Sequence, residues 1–263
     1  GAFMYDNFGN IFGEYNGGSS YLEDIPSYIV EDALEAFDDM ASSKEIHAIY
    51  IASPTAFHAK HTLQCIKHKK HVMCEKPFAS NYLEVKTMIE AAKENNVVLM
   101  EAMKTTLTPN YRWIKEHLEE IGPLRRYFGN FCKRSSRYEN YKNGIIENAF
   151  KLELSNGSLM DIGVYCIYPM VDLFGLPNSI IAQALFLSTG VDGSGTIMAE
   201  YNHMEGVIHH SKMANSQVPS EIQGELGSIT IASMDYLTDV KIQFLDGRTK
   251  EPNHIQNNNV MYY

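Results

Sequence analysis

Three polar side chains in this sequence have the types and spacing that proton transfer to or from an alcohol requires. Lys76 follows the apolar run "HVMCE", and Asp161 and Tyr165 lie four residues apart in "LMDIGVY". Four residues are about one helical turn, so the carboxylate and the phenol share a face if this segment is helical. A phenol has a pKa near ~10, and a nearby ammonium lowers that value. The three groups could therefore act as a general acid and base on a hydroxyl or carbonyl group.

The elements that must position these residues alternate between strand and helix in the first half of the chain. The apolar runs "IHAIYIAS", "HVMCE" and "VVLMEAM" are typical of strands buried on both faces of a sheet. The segments between them, "FHAKHTLQCIKH" and "SNYLEVKTMIEAAKENN", have helical periodicity, and Thr55 can serve as the N-cap of the first. This alternation predicts two successive right-handed βαβ units. A further short strand and helix are predicted within Ser27–Glu45.

The carboxyl ends of the three predicted strands form the expected binding edge, because ligands of open parallel sheets lie outside those ends. Ser53 and Pro54 follow the first strand, Glu75 to Pro77 end the second, and Met103 ends the third. These segments should lie side by side, which explains a charged pair directly after a buried strand. Lys76 then faces a binding crevice, and Pro77 restricts the turn that orients it.

The periodicity changes after Gly122. A series of β-rich segments follows, separated by short turns such as Val191-Asp192-Gly193 and Leu245-Asp246-Gly247. One helix, Ser158 to Gly175, interrupts them. We therefore expect an α/β Rossmann-like parallel sheet, incomplete at its N-terminus, followed by an α+β domain with a large, mainly antiparallel sheet. The boundary is predicted near Ile121, which divides the chain into domains 1–121 and 122–263.

Composition excludes several classes of function. The 263 residues are 44% hydrophobic, enough for a core in each of two domains. A net charge of −10 repels a phosphate backbone, so a nucleic-acid partner is not expected. The sequence has no apolar stretch of membrane-spanning length and no secretory signal, and its four cysteines are far apart. These features predict a cytoplasmic protein with reduced thiols and no membrane association.

Histidines raise the question of a metal site. His58 and His61 are spaced to share a helix face. They lack an acidic third ligand at helical spacing, so a surface or helix-terminal role is favoured. No metal site is predicted.

Three motifs resemble the Gfo/Idh/MocA family of NAD(P)-dependent oxidoreductases. They are "YIASPTAFHAKHTLQCIKHKKHVMCEKPFASN", the strand end "EAM", and "NGSLMDIGVY", in that order. The resemblance runs from about Tyr28 to about Gly175. A tyrosine two residues after D-x-G is most similar to the branch of dimeric dihydrodiol dehydrogenase and NADP-linked xylose dehydrogenase.

The resemblance implies a dehydrogenase or reductase that transfers a hydride between NAD or NADP and a hydroxyl or carbonyl of a sugar, cyclitol or similar molecule. Domain 1–121 would be a partial dinucleotide-binding domain, and domain 122–263 would bind substrate and form oligomers. Tyr165 would be the acid/base, Lys76 its partner and a ligand of the substrate hydroxyl, and Asp161 the group that orients them. The cofactor would lie against Ser53, Pro54, Thr55, His58, Glu75, Lys76 and Met103.

Two of these cofactor residues have alternative roles. Glu75 could face the nicotinamide end of the cofactor or hold the lysine. For His58, a plain helix-terminal position agrees equally well with the sequence.

The N-terminal stretch departs from the family pattern. "GNIFGEYNGG" has neither the G-x-G-x-x-G spacing nor a preceding strand, which are needed to bring backbone amides close to a pyrophosphate. We expect the chain to be a fragment, or the ordered part, of a longer protein. The alternative is a non-catalytic member that binds a small ligand or a partner without cofactor.

Two further features concern the substrate and the assembly. After "EAM", Lys104 and Thr106 stand where the similar branch has an arginine, and a lysine cannot reproduce a bidentate fork. Substrate preference therefore stays open.

The alternating apolar residues of "GTIMAEYN" and "GVIHHSKMA" suit a sheet-to-sheet contact, which predicts a homodimer or homotetramer through the second-domain sheet.

Overall fold

A computed structural model describes residues 37–252 of the chain, and within them it forms two compact units. The first unit contains the residues up to Ala102 together with Asn140–Asn156, and the second contains the rest. The first boundary between the two compact units therefore follows Ala102. The predicted boundary between functional domains, near Ile121, stays a prediction. Residues 37–42 are helical. The other elements predicted within Ser27–Glu45, and the glycine-containing stretch before them, lie outside the described residues.

The first unit is built on a three-stranded parallel sheet in the order β1-β2-β3. Its strands are β1 Ala48–Ile51, β2 His71–Glu75 and β3 Leu99–Ala102, and its helices are α1 His58–Lys67 and α2 Tyr82–Asn95. Strand and helix alternate along the chain as in βαβ units. This sheet confirms the predicted Rossmann-like class.

The two helices begin differently. The Asn81 side chain accepts a hydrogen bond from the Glu84 amide at 3.1 Å and caps α2. The prediction that Thr55 caps α1 is wrong, because Thr55–Phe57 forms a 3-10 turn and α1 starts after it. The capping position falls on Phe57, whose side chain has no acceptor. Thr55 itself is buried.

Apolar side chains from both strands and helices form the core of the first unit. Alternate residues of β1 and β2 are buried and Tyr50 and Met73 between them are half-buried, so one face of each strand is more buried than the other. Burying one such side chain contributes about 1.5–3 kcal/mol, so the core holds the strand ends in place. The buried members are Phe37, Met40, Ala41, Ile49, Ile51, Cys65, Ile66, Val72, Cys74 and Ala92.

The second unit is built on an eight-stranded sheet in the order β11-β10-β9-β8-β4-β7-β6-β5. The sheet is mostly antiparallel, as expected, but β4 pairs with β7 in parallel. The strands are β4 Leu124–Cys132, β5 Ser179–Phe186, β6 Asp192–Glu200, β7 Glu205–Ser211, β8 Ser220–Gly224, β9 Gly227–Ile231, β10 Lys241–Phe244 and β11 Thr249–Lys250. The α-helices after β3 are α3 Pro109–His117, α4 Tyr138–Lys142 and α5 Val164–Phe174, and short 3-10 turns lie at Lys104–Leu107 and Leu118–Ile121. Two further 3-10 turns, Asn148–Phe150 and Leu152–Leu154, belong to the first unit.

One of the two predicted turns is displaced. The hairpin between β5 and β6 is closed by the Leu187 amide, which donates to the Val191 carbonyl at 2.8 Å. Gly190, with φ +86°, supplies the left-handed backbone, and Asp192 already belongs to β6. The prediction of a turn at Val191-Asp192-Gly193 is therefore wrong. The turn at Leu245-Asp246-Gly247 is confirmed, and Gly247 has φ +88° there.

The helix predicted from Ser158 to Gly175 has two parts. Leu159–Gly163 is a π-helical turn, and α5 continues from it until Gly175, which ends the helix with φ +77°. Single π turns are rare in helices and are frequent at functional sites. Asp161 lies in the π turn and Tyr165 in the first turn of α5, so about one turn separates them.

Candidate active site

Glu75, the last residue of β2, fixes the backbone from which Lys76 extends. One of its carboxylate oxygens accepts a hydrogen bond from the Tyr50 hydroxyl. The other accepts from the Lys76 amide at 3.1 Å. This contact is to the backbone of Lys76, so both alternatives for Glu75, facing the nicotinamide end of the cofactor or holding the lysine, stay predictions.

Glu101 is a second carboxylate in the same unit that sequence reasoning missed. It lies on β3 opposite Cys74 of β2, and its side chain accepts a hydrogen bond from the Phe78 amide at 3.0 Å. The pKa of Glu101 is raised to about 7, mainly by burial. The Phe78 amide and the charge of Lys76 oppose this rise, and the charge of Glu75 adds to it. The signal in the sequence was an acid inside the otherwise apolar run "VVLMEAM".

His58 connects the segments that follow β1 and β2. Its side chain is 1% exposed. Its Nδ1 lies 2.9 Å from the Pro77 carbonyl oxygen, and its Nε2 lies 2.7 Å from the Ser53 carbonyl oxygen. A ring with this burial can position the two backbone segments, whereas direct contact of His58 with a cofactor stays a prediction.

His61 holds the same loop from the next helical turn. Its Nδ1 lies 3.0 Å from the Ser53 hydroxyl oxygen. Burial, followed by the charges of Lys60 and His58, lowers the pKa of His61 to about 4, so the ring is neutral at neutral pH. Within residues 37–252, no group of three or more His, Cys, Asp and Glu side chains could hold a metal ion.

Asp161 in the second unit forms an ion pair with a lysine that sequence reasoning did not identify. The ammonium nitrogen of Lys212 lies 2.7 Å from Asp161 Oδ2. The Lys212 side chain is 4% exposed and the Asp161 side chain 39% exposed. A lysine this buried is rare unless it is paired, so the fold depends on the ion pair between Lys212 and Asp161.

The phenol ring of Tyr165 packs edge-on against Phe131 of β4. The ring centroids are 5.6 Å apart and the planes meet at 81°. Such an edge-to-face contact restricts the ring orientation. The tyrosine is half-buried and packs against the core of the second unit.

A polar cluster anchors the start of the π turn. Asp192 accepts a hydrogen bond from the Leu159 amide at 2.7 Å, and His210 Nδ1 lies 2.9 Å from the Ser158 hydroxyl oxygen. Burial lowers the pKa of His210 to about 4 and raises that of Asp192. A Cβ at Gly163 would lie 3.3 Å from the His210 ring and 2.9 Å from Leu159 Cδ1. The glycine of D-x-G therefore allows close packing of the turn on β7.

The segment after β3 has its own contacts in the second unit. The Lys104 ammonium lies 3.6 Å from the ring centroid of Tyr236, a cation–π distance. The Thr106 hydroxyl donates to the Met103 carbonyl at 3.0 Å, and Met103 is buried. Lys104 is therefore engaged by an aromatic ring, and its part in substrate preference stays open.

The predicted site residues fall into two groups, one in each unit. The first unit brings together Ser53 with His58, and Glu75 with the backbone of Lys76. The second unit brings Asp161 to Lys212 and orders the Tyr165 ring. These groups can orient a ligand and exchange a proton, and the catalytic assignments remain predictions.

No helix in the described part of the chain combines the length and the apolar character needed to cross a bilayer.

Comparison with known proteins supports the same family along most of the chain. Residues 6–103 match a family model described as "Oxidoreductase family, NAD-binding Rossmann fold", and residues 111–230 match "GFO/IDH/MocA C-terminal domain". The chain is 52% identical over 220 residues to scyllo-inositol 2-dehydrogenase (NADP(+)) IolU of Bacillus subtilis (strain 168). The aligned region covers 82% of this chain and 67% of that protein.

A more distant relative is trans-1,2-dihydrobenzene-1,2-diol dehydrogenase of Xenopus tropicalis. It is 30% identical over 209 residues, covering 78% of this chain and 61% of that protein. The uncharacterized oxidoreductase YgjR of Escherichia coli (strain K12) is 44% identical over 79% of this chain and 63% of its own length. The chain thus spans between 61% and 67% of the length of these curated relatives.

Solved structures confirm the fold. Levoglucosan dehydrogenase in complex with NADH matches with a TM-score of 0.72 at 24% identity, over 87% of this chain and 69% of that chain. The WlbA dehydrogenase from Bordetella pertussis, in complex with NADH and UDP-GlcNAcA, matches with a TM-score of 0.70 at 18% identity, over 85% and 68%. Together with the two family models and the 52% identical relative, this establishes that the chain belongs to the Gfo/Idh/MocA family of oxidoreductases.

Proposed function

We propose that this chain carries the active site of an NAD(P)-dependent dehydrogenase that acts on a CH–OH group of a cyclitol or a related polyol. The observation that carries the proposal is the 52% identity, over 82% of this chain, to a protein named as a scyllo-inositol 2-dehydrogenase. Because the chain spans about two thirds of that relative, we extend the activity to the complete protein as a proposal.

The proposal places the nicotinamide dinucleotide at the strand-end edge of the first unit. Ser53, Pro54 and Lys76 are partly exposed there, which suits direct contact with a ligand, whereas His58 is buried and would act by positioning. Met103, the first residue of the second unit, is also buried. Ligands of open parallel sheets bind at this edge. A bound nicotinamide supplies the hydride acceptor for alcohol oxidation and the hydride donor for carbonyl reduction.

In this proposal the proton is handled by Tyr165, Lys76 and Asp161. During oxidation the hydroxyl proton passes to the Tyr165 phenolate oxygen, and during reduction it returns to the product oxygen. The family resemblance assigns Lys76 as the partner of Tyr165 and a ligand of the substrate hydroxyl, and an ammonium in that role would favour the phenolate. Asp161, held by Lys212, orients these groups.

Replacement of Tyr165 by phenylalanine tests the proposal in the complete protein. We expect Tyr165→Phe to lower kcat by about 10²–10⁴-fold, because general acid–base catalysis contributes that much. The dissociation constant for NADPH should stay unchanged. Oxidation of scyllo-inositol and other polyols would be followed by NADPH absorbance, with NAD⁺ and NADP⁺ in parallel. Tyr168→Phe, one turn later in α5, is the matched control and should retain activity.

The outcomes separate the two candidate functions. Full turnover by Tyr165→Phe would contradict the assigned role of the phenol. A complete protein that binds neither NADH nor NADPH would favour the alternative, a family member that binds a ligand without cofactor.

We also propose that the protein is a homodimer or homotetramer through the open face of the eight-stranded sheet. Ile181, Met198, Val207 and Phe128 are neighbours by strand register across β5, β6, β7 and β4. Ile197 and Ala199 are buried in the core, so Met198 between them points to the opposite face. Ile181 is 71% exposed and Met198 52%, and an apolar stripe of this kind favours association.

Sedimentation velocity at micromolar concentration tests this assembly. Met198→Glu should shift the protein towards the monomer, because a charge would be buried in the apolar contact. Leu245→Glu, in the exposed turn after β10, is the control and should sediment like the parent. A monomeric parent, or an unshifted Met198→Glu variant, would count against the proposed face.

A further inference from the structure

We infer that Lys212 is a positioning residue for the reaction: its buried ammonium holds the Asp161 carboxylate ionised and in one orientation beside Tyr165. This inference deepens the proposed function and rests on it. It assigns a role to a residue that has no recognisable sequence motif, in the segment "SKMA" after β7.

The backbone of Lys212 is fixed on both sides. Its amide donates to the Gly193 carbonyl at 2.8 Å, and its carbonyl accepts from the Ser135 amide at 2.8 Å. These bonds tie the residue to β6 and to the segment that follows β4. The side chain therefore starts from a rigid position, and its ammonium reaches Asp161 Oδ2 at 2.7 Å.

The unequal exposure of the two partners indicates that Lys212 positions Asp161 rather than the reverse. Lys212 is almost fully buried, whereas Asp161 is 39% exposed. An ammonium in this environment is destabilising unless an anion lies beside it. The buried ammonium therefore favours the charged form of the Asp161 carboxylate, which is the more exposed partner of the pair.

The neighbouring carboxylate is already engaged elsewhere. Asp192 also interacts with the Lys212 charge, but its Oδ2 accepts the Leu159 amide at 2.7 Å. His210, which lies 3.6 Å from the same oxygen, is neutral at neutral pH because burial lowers its pKa to about 4. Lys212 therefore forms its 2.7 Å ion pair with Asp161, while Asp192 is held by the Leu159 amide.

The pair has two consequences for the tyrosine. Asp161 and Tyr165 are about one helical turn apart, so a fixed carboxylate has a fixed relation to the phenol. An isolated carboxylate near a phenol opposes formation of the phenolate, and the Lys212 ammonium compensates that charge. Loss of the ammonium should therefore reduce the chemical step more than the binding of dinucleotide.

A matched ion pair exists in the same unit. Lys115 Nζ also lies 2.7 Å from an aspartate oxygen, Asp172 Oδ2 in α5, but both side chains are well exposed. The pair has the same chemistry and distance, but Asp172 is about two helical turns from Tyr165, whereas Asp161 is about one turn away. Lys115→Met is therefore the control for a general effect of removing a Lys–Asp pair.

The experiment compares Lys212→Met, Lys212→Arg and Lys115→Met in the complete protein. We expect kcat of Lys212→Met to fall by about 10²-fold, since small displacements of catalytic groups cost that much, while the NADPH dissociation constant is unchanged. Lys212→Arg keeps the charge and should recover most of the loss. Lys115→Met should turn over like the parent. If Lys212→Met does not fold, Lys212→Gln replaces it in the same assays.

The results distinguish this inference from the proposed function. A parent that turns over a polyol together with an unchanged kcat in Lys212→Met would overturn the role of Lys212 alone. Equal losses in Lys212→Met and Lys115→Met would overturn it too, because they would report a general structural effect. A parent without any NAD(P)-dependent turnover would overturn the proposed function, and this inference with it.

Discussion

Replacing Glu101 with glutamine should stabilise the first unit, and the gain should grow with pH. The Glu101 carboxylate is mostly buried and accepts the Phe78 amide at 3.0 Å. Burial raises its pKa from 4.5 to about 7, and Glu75 adds to the rise, while the Phe78 amide and Lys76 oppose it. A glutamine oxygen can accept the same amide, so the substitution removes the charge and keeps the hydrogen bond.

The sign and size follow from linkage between protonation and folding. An acid with a higher pKa in the folded chain binds its proton more tightly there, so its ionisation opposes folding. That cost is absent below pH 4.5 and develops as the pH rises towards 7. One pKa unit corresponds to ~1.4 kcal/mol, which makes the cost ~3 kcal/mol at pH 8 and ~1 kcal/mol at pH 5. Glu101→Gln should recover these amounts.

Urea unfolding at pH 5 and pH 8 measures the difference. A hydrogen-exchange pulse at one fixed pH, read in peptides covering β2 and β3, reports unfolding of the first unit alone. Glu90→Gln replaces an exposed glutamate of α2 and should alter the midpoint little at either pH. Equal midpoints at pH 8 for Glu101→Gln and the parent would refute the burial argument.

Two further predictions concern the cores. Ile208→Ala, in the centre of β7, should lower the free energy of unfolding of the second unit by about 2–5 kcal/mol, and Ile208→Val should lower it by about 1 kcal/mol. Fluorescence of Trp113 follows the unfolding. An unchanged midpoint for the alanine variant would contradict this packing. Cys65 and Cys74 should resist iodoacetamide at pH 8 until the chain is unfolded, because burial raises the pKa of each thiol to about 12, whereas the partly exposed Cys132 should react first. Mass spectrometry locates the label, and rapid modification of Cys74 in the folded protein would be the contrary result.

Local periodicity was sufficient to predict the architecture. Continuous apolar runs separated by helical segments led to the parallel sheet of the first unit, and alternating β-rich segments led to the large sheet of the second. Both signals are short-range, because a strand or helix buries side chains at a spacing that its own residues display. The same reasoning located Lys76 at a strand end and Asp161 and Tyr165 in one helical segment.

Details of backbone geometry were less accessible. The 3-10 turn at Thr55–Phe57 and the π turn at Leu159–Gly163 each change a helix start without changing its apolar pattern. The parallel pairing of β4 with β7 joins strands far apart in the chain. Such pairings depend on which surfaces meet in the folded chain, and periodicity within one strand does not encode its neighbour.

The sequence by itself determined the class of fold and the residue types at the candidate site. Only the tertiary structure decided which partners control those residues. Lys212 is 51 positions from Asp161, and His58 contacts a carbonyl 19 positions away. A lysine in "SKMA" would be assigned to solvent from composition, because burial depends on everything that packs around it. The partner of a charged group is set by three-dimensional proximity, and it becomes visible only when distant segments are brought together.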